Sequence, residues 1–228
     1  MSIYNSAPKH LLAIDCIVFG FDFDTLKILL FKRRIEPDKG QWSLMGGFLN
    51  ENESLDDASK RILLLLTGLD NVFLEQLYTF GAVKRDPEDR VVSVVYYALI
   101  KINDYDREVV KNAGAEWFTA SECPKLIFDH NEMLTTALNR LRRKCRTQPI
   151  GFELLPEKFT IPQLQHLYEA ILMHPLDKRN FRKKMLSMNL IDKLEEKDWK
   201  NSKKGAFYYR FNKEKYEQLT SQGFAFEL

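Results

Sequence analysis

Residues 147–151, Thr-Gln-Pro-Ile-Gly, divide the 228-residue sequence into two stretches of different patterning, and one layered core cannot accommodate both. Ahead of this linker-like segment, short runs of Ile, Val, Leu and Phe alternate with a few helix-like stretches. Beyond it, apolar residues fall at helical spacing. Such a seam in a chain of this length predicts two modest domains, 1–148 and 149–228. With 45% hydrophobic residues and only 10 Gly and 8 Pro, the chain can bury a real core, which excludes disordered and collagen-like classes.

The first stretch reads as an α+β domain. Residues 11–19 and 26–32 are expected to pair as a hairpin around Phe21-Asp22-Phe23-Asp24, with further strands at 73–83, 91–102 and 116–118. Residues 53–66 have helical length, acidic side chains in the first turns and Asn52 or Ser54 as cap; 130–144 reads as another helix. The run 62–66 is apolar all round, which calls for burial together with a subunit interface.

The second stretch opens with a capping box, Thr160-Ile161-Pro162-Gln163, and places Leu164, Leu167, Tyr168, Ile171 and Leu172 on one helical face. Asp177 then caps a helix predicted over 178–188. Strand-like runs at 190–194 and 206–211 flank a polar loop, 195–205. Helix, turn, helix and β-ribbon is a winged-helix pattern.

Charge follows the same division. Residues 160–215 hold 13 Lys+Arg against 7 Asp+Glu, a local charge of +6 that the overall +2 conceals. On the 178–188 helix, Phe181, Met185 and Met188 share one face, while Lys178, Arg179, Arg182 and Lys183 share another. The second face suits phosphates, and Arg179 and Asn180 could reach base edges of double-stranded DNA. Lys200, Lys203 and Lys204 in the wing loop would add backbone contacts. The plainer reading is a solvated charged helix on a protein-binding module.

Cys16, Cys123 and Cys145, odd in number and widely spaced, make neither a bridge framework nor a zinc ligand set, so a reducing, cytoplasmic setting is expected. Residues 1–13 carry no long apolar run, and no later stretch approaches the roughly 18 apolar residues of a membrane span, so no membrane association is expected.

Gly47, Glu53, Arg61, Gly68 and Leu69 fall at the spacing of the Nudix box, G-x5-E-x7-R-E-U-x-E-E-x-G-U with U a bulky aliphatic, and Trp42-Ser43-Leu44-Met45-Gly46-Gly47 resembles the approach to it. The first domain thus resembles a Nudix α/β/α sandwich. In that family, glutamates of the box hold Mg²⁺, which clamps a pyrophosphate while water attacks. Here Arg61-Ile62-Leu63-Leu64-Leu65-Leu66 replaces R-E-U-x-E-E, so three carboxylate positions are Ile62, Leu65 and Leu66. Glu53, Asp56 and Asp57 remain, in the first turns, where the helix dipole accounts for them. No catalytic residue, metal or cofactor is therefore assigned.

A cleft can outlive its chemistry. Lys32 and Arg34, with Arg33 between them, Trp42, Arg85 with Asp86, and Asp129 with His130 are the candidates to line it. Each also has a plain reading: a solvated strand end, a core tryptophan, a helix cap.

Leu154-Leu155-Pro156 before Phe159-Thr160, the run 176–184, Arg85-Asp86-Pro87, Arg90-Val91-Val92, Tyr96-Tyr97-Ala98 and Phe128-Asp129-His130 resemble the Nudix-related transcriptional regulators along nearly the whole chain. The resemblance implies a degenerate Nudix sensor with a winged helix that binds operator DNA as a homodimer. Within the family the chain looks most like the arabinose-responsive repressors, implying a sugar-responsive repressor of arabinose utilisation with L-arabinose as effector. Two alternatives stand beside it: an ADP-ribose-responsive regulator of NAD metabolism, and a working Nudix pyrophosphohydrolase with an accessory domain.

Overall fold

Strand β1, Leu11–Phe21, is buried from Ile14 onward because it is interior to its sheet and covered on both faces, which is why its sequence is a near-continuous apolar run. The protein is described here from a computed structural model covering residues 7–105, 107–202 and 204–228. β2 (Leu26–Lys32) follows after a turn in which the Asp22 carboxylate accepts the Asp24 and Thr25 amides at 3.1 and 3.0 Å. The strand therefore runs two residues beyond the predicted end at 19. Further strands are β3 (Trp42–Ser43), β4 (Met45–Phe48), β5 (Glu75–Phe80), β6 (Val91–Lys101) and β7 (Ala115–Thr119). They order as β3-β2-β1-β6-β5, with β4 on β1 and β7 on β2. The β4 register sets Gly46 opposite Asp15 and Gly47 opposite Ile14.

Helix α1, Leu55–Thr67, starts at Ser54, whose hydroxyl accepts the Asp57 amide, and ends at Gly68 in the left-handed region at φ 71°. Of the two candidate caps, Ser54 is used. Glu53 lies ahead of the cap rather than in the first turn. Of the run 62–66, expected to combine burial with a subunit interface, Ile62 and Leu63 are buried within the chain, whereas Leu64 and Leu65 are 47% and 73% exposed. A short helix, α2 (Arg107–Asn112), precedes β7, and α3 spans His130–Thr147, three residues past its predicted end.

The chain separates into two compact units. The first runs as far as Phe19 and includes Lys27–Ala98 and Asn103–Ala137; the second comprises Gly20–Leu26, Leu99–Ile102 and Leu138–Leu228.

In the second unit, α4 (Ile161–Leu172) carries the complete reciprocal capping box of Thr160 and Gln163, and its apolar stripe Leu164, Leu167, Tyr168, Ile171 and Leu172 is buried. α5 (Lys178–Ser187) is capped by Asp177, which accepts the Asn180 amide at 2.8 Å. β8 (Phe159–Thr160), β9 (Ile191–Asp198) and β10 (Ala206–Phe211) form a three-stranded sheet in the order β8-β10-β9, and α6 (Lys213–Ser221) follows. Residues 195–198, predicted as loop, belong to β9: Glu195, Glu196 and Lys197 are exposed and Asp198 is buried, and after a register shift Lys197 pairs with Phe207 and Asp198 with Ala206 of β10. No helix among the described residues is long and apolar enough to cross a membrane.

Candidate functional site

The turn from β3 into β4 packs glycine backbone directly on β1, since any side chain at Gly46 would collide with the Asp15 carboxylate. A cavity of about 240 Å³ lies beside this contact in the first unit, with Asp15, Ser43, Leu44, Gly46 and Gly47 among its lining. Asp15 is buried and accepts the Ser93 hydroxyl at 2.5 Å. Its oxygens lie 3.9 Å from the Arg85 guanidinium and 3.8 Å from His130 Nε2. Arg85, buried as well, donates two hydrogen bonds of 2.8 Å to the two oxygens of Asp129. The fork geometry fixes both side chains.

His130, the first residue of α3, receives the Leu44 amide on Nδ1 at 3.1 Å. With Nδ1 an acceptor, the ring is neutral and carries its proton on Nε2, the nitrogen directed at Asp15. Burial pushes the His130 pKa below its ordinary value, outweighing Asp15 and Asp129, which pull it upward.

Arg33 and Arg34 line the same cavity at the end of β2. Arg33 Nε donates to the Pro37 carbonyl at 2.5 Å, and its guanidinium lies 5.3 Å from the Phe128 ring centre. Arg34 donates to the Ala113 carbonyl and lies 5.1 Å from the Phe31 ring centre. Backbone carbonyls and ring faces orient these cations without cancelling their charge.

Of the residues proposed from sequence, Arg34, Arg85, Asp86 and His130 line the cavity, as does Arg33. Lys32, Trp42 and Asp129 do not. Lys32 Nζ sits 5.0 Å above the Trp42 ring, which meets Phe118 edge-on at 4.8 Å, so Trp42 packs between strands. Asp129 acts one step back, through Arg85. Asp15, Ser43 and Ser93 were missed. The one available signal was a carboxylate interrupting the apolar run of β1.

A Nudix box implies Mg²⁺, and the residues present do not fit that ion. Among the described residues no cluster of three or more His, Cys, Asp or Glu side chains could hold a metal. Glu53, Asp56 and Asp57 each have another partner. Glu53 accepts two hydrogen bonds from Arg61, at 2.7 and 2.5 Å, and the Asn50 amide at 2.7 Å; the Arg61 guanidinium pushes its pKa down to about 2. The reading of Glu53 as a helix-dipole partner is thus replaced by a fork with Arg61. Asp56 receives the Tyr96 hydroxyl at 2.6 Å, and Asp57 receives the Ser54 hydroxyl at 2.7 Å. Leu66, at a carboxylate position of the box, lines the cavity with hydrocarbon.

In the second unit, Phe181, Met185 and Met188 are buried, whereas Lys178, Arg179, Asn180, Arg182 and Lys183 are exposed along α5. Lys200 and Lys204 are exposed in the wing; Lys203 lies outside the described residues.

Residues 9–137 match the family described as NUDIX domain, and residues 151–211 match the NrtR DNA-binding winged helix domain. The chain is 36% identical to the ADPR responsive transcriptional repressor NtrR of Acinetobacter baylyi over 92% of this chain and 85% of that protein. It is similar to the crystal structure of Shewanella oneidensis NrtR complexed with a 27mer DNA, with 30% identity, a TM-score of 0.75, and coverage of 88% of this chain and 93% of the other. The Nudix domain of that protein complexed with ADP ribose matches at 31% identity and TM-score 0.51, over 60% of this chain and 92% of the other. A Nudix-fold domain followed by a winged helix is the architecture of the chain.

These similarities overturn the arabinose-responsive reading, because relatives matched along most of the chain are named for ADP-ribose. The arabinose reading rested on overall resemblance; at Leu66 the box carries no carboxylate, so that wall adds no negative charge to a cavity lined by Arg33 and Arg34.

Proposed function

We propose that this chain, which belongs to the family of Nudix-domain proteins carrying an NrtR-type winged helix, is a DNA-binding transcriptional repressor whose first domain binds ADP-ribose without hydrolysing it. The observation that carries this reading is the convergence of Arg33 and Arg34, held by backbone carbonyls and ring faces, beside the Asp129-paired Arg85 on one cavity in which Leu66 stands at a carboxylate position of the box. A pyrophosphate needs cations; in an active Nudix site metal ions supply much of that charge against the glutamates holding them. Here guanidinium groups supply it, and aliphatic side chains neither repel the phosphates nor offer ligands to a metal. Nε2–H of His130 and the carboxylate of Asp15 provide a donor and an acceptor for ribose hydroxyls. At about 240 Å³ the cavity is small for such a ligand, so it takes one part of the molecule and the rest lies on open surface.

The second domain, residues 149–228, contacts operator phosphates through Lys178, Arg179, Arg182, Lys183, Lys200 and Lys204, with Arg179 and Asn180 nearest the base edges. Two copies are required to place two such helices about 34 Å apart on successive major grooves. The exposed Leu64 and Leu65 within residues 1–148 are the surface on which the copies meet. The protein acts in the cytosol, where both the DNA and the nucleotide are available.

Fluorescence anisotropy on a labelled fragment of the promoter beside the protein's own gene tests this reading. Binding that shifts when ADP-ribose is added supports it; binding that ADP-ribose leaves unchanged overturns it.

A further inference from the structure

The tip of the wing carries a large aromatic side chain that the fold holds in place and leaves exposed. Trp199 is 66% exposed, yet it is not loosely attached. Asp198, buried at the end of β9, accepts the backbone amides of Lys200 and Asn201 and the Asn201 side-chain amide, each at 3.0 Å, which fixes the turn that begins at the tryptophan. On the other side of the turn Gly205 adopts φ 68°, and a Cβ there would lie 2.9 Å from Trp199 Cη2. Glycine serves twice at this position: it permits the left-handed backbone, and it lets the indole lie directly against the main chain.

Positive charge lies beside the ring. Lys197 Nζ lies 5.5 Å from the Trp199 ring centre and 4.5 Å from that of Phe207, and Lys193 Nζ lies 3.6 Å from Phe207. Lys200 and Lys204 are exposed in the same loop. A preorganised indole loses little conformational freedom on association, and a rim of ammonium groups selects a polyanion as its partner.

We propose that Trp199 is a non-ionic DNA contact of the wing, its ring packing on deoxyribose at a groove edge while Lys197, Lys200 and Lys204 engage the flanking phosphates. This inference rests on the DNA-binding reading above. It assigns the wing a contact whose strength, unlike that of the lysines, does not come from counterion release.

The test is the affinity of the full chain for its promoter fragment, measured over a series of salt concentrations. Trp199→Ala is expected to weaken binding on the order of tenfold, the size of one desolvated aromatic contact, with the salt slope unchanged and with Trp199→Phe recovering most of the loss. Lys197→Ala is expected to lower the slope by about 0.9. In a Trp42→Phe, Trp117→Phe background, where Trp199 alone emits, DNA is expected to protect it from acrylamide quenching. Wild-type binding with Trp199→Ala equally tight, or an emission that DNA does not protect, overturns the inference alone. Failure of the wild type to bind overturns the parent reading and this one with it.

Discussion

Arg85 and Asp129 are joined by two parallel hydrogen bonds of 2.8 Å between a guanidinium that is almost fully buried and a carboxylate at the start of a helix. Forty-four positions separate them in sequence, so this pair ties the loop after β5 to the N-terminus of α3. Removing one partner leaves a buried charge facing Asp15 at 3.9 Å without its fork. Asp129→Ala is therefore expected to cost about 3 kcal/mol in urea unfolding, and Arg85→Met/Asp129→Leu less than the sum of the single changes. Additive losses would show that the two residues act independently.

Protonating His130 would put a proton on Nδ1, where the Leu44 amide already donates. Because burial lowers its pKa in the folded state, its contribution is complete above the ordinary value of 6.5 and is lost as pH falls through the lowered value. The melting temperature is expected to fall between pH 7.5 and pH 5.5, and to fall less in His130→Gln. A wild-type melting temperature that rises on acidification would contradict the assigned tautomer.

Glu53 provides a separate check, since its fork with Arg61 explains it without a metal. Its stabilising contribution is present above the ordinary pKa of 4.5 and is lost as pH falls towards about 2. Glu53→Gln should flatten acid unfolding across that window and leave ADP-ribose affinity in Mg²⁺ unchanged. A drop in affinity only when Mg²⁺ is present would assign the carboxylate to a metal after all.

Leu65 is among the most exposed large apolar residues of the described chain, beside exposed Leu64 on the same helix. Leu64→Glu/Leu65→Glu is expected to convert a sedimenting dimer to monomer and to weaken operator binding steeply, while isolated-chain folding by circular dichroism stays intact. A monomeric wild type would contradict the two-copy arrangement.

On α5 the expected signature is electrostatic. Alanine at Lys178, Arg179, Arg182 or Lys183 should each reduce the salt slope of operator binding by about 0.9, and reversal of all four should abolish it. Retained affinity after reversal would move the DNA to another face.

What could be read in advance divides by the range of the interaction. The Thr160 and Gln163 box, the Asp177 cap and the buried stripe of α4 are set by neighbours within a few positions, and the structure places them as expected. The sequence expectation ends β9 at Leu194 because Glu195, Glu196 and Lys197 look like loop residues; pairing of Lys197 with Phe207 and of Asp198 with Ala206, beyond a register shift, carries the strand on. α2 and α6 are short and, in α6, without buried residues, so no apolar periodicity announced them. Asp15 stands out locally only as a carboxylate within the apolar run of β1; its partners Ser93 and Arg85 are brought to it by long-range packing, which the run does not reveal. Arg34 and His130 were legible as candidates because charged residues at the ends of apolar elements are conspicuous. Their convergence was not.

Calorimetric titration of ADP-ribose into the purified chain in the presence of a chelator tests the central claim most directly, followed by addition of Mg²⁺ and chromatography of the nucleotide. Saturable binding of one ADP-ribose per chain without metal, weakened by Arg34→Ala, with the nucleotide recovered intact, is the expected result. Binding that requires Mg²⁺, or release of AMP, would contradict it.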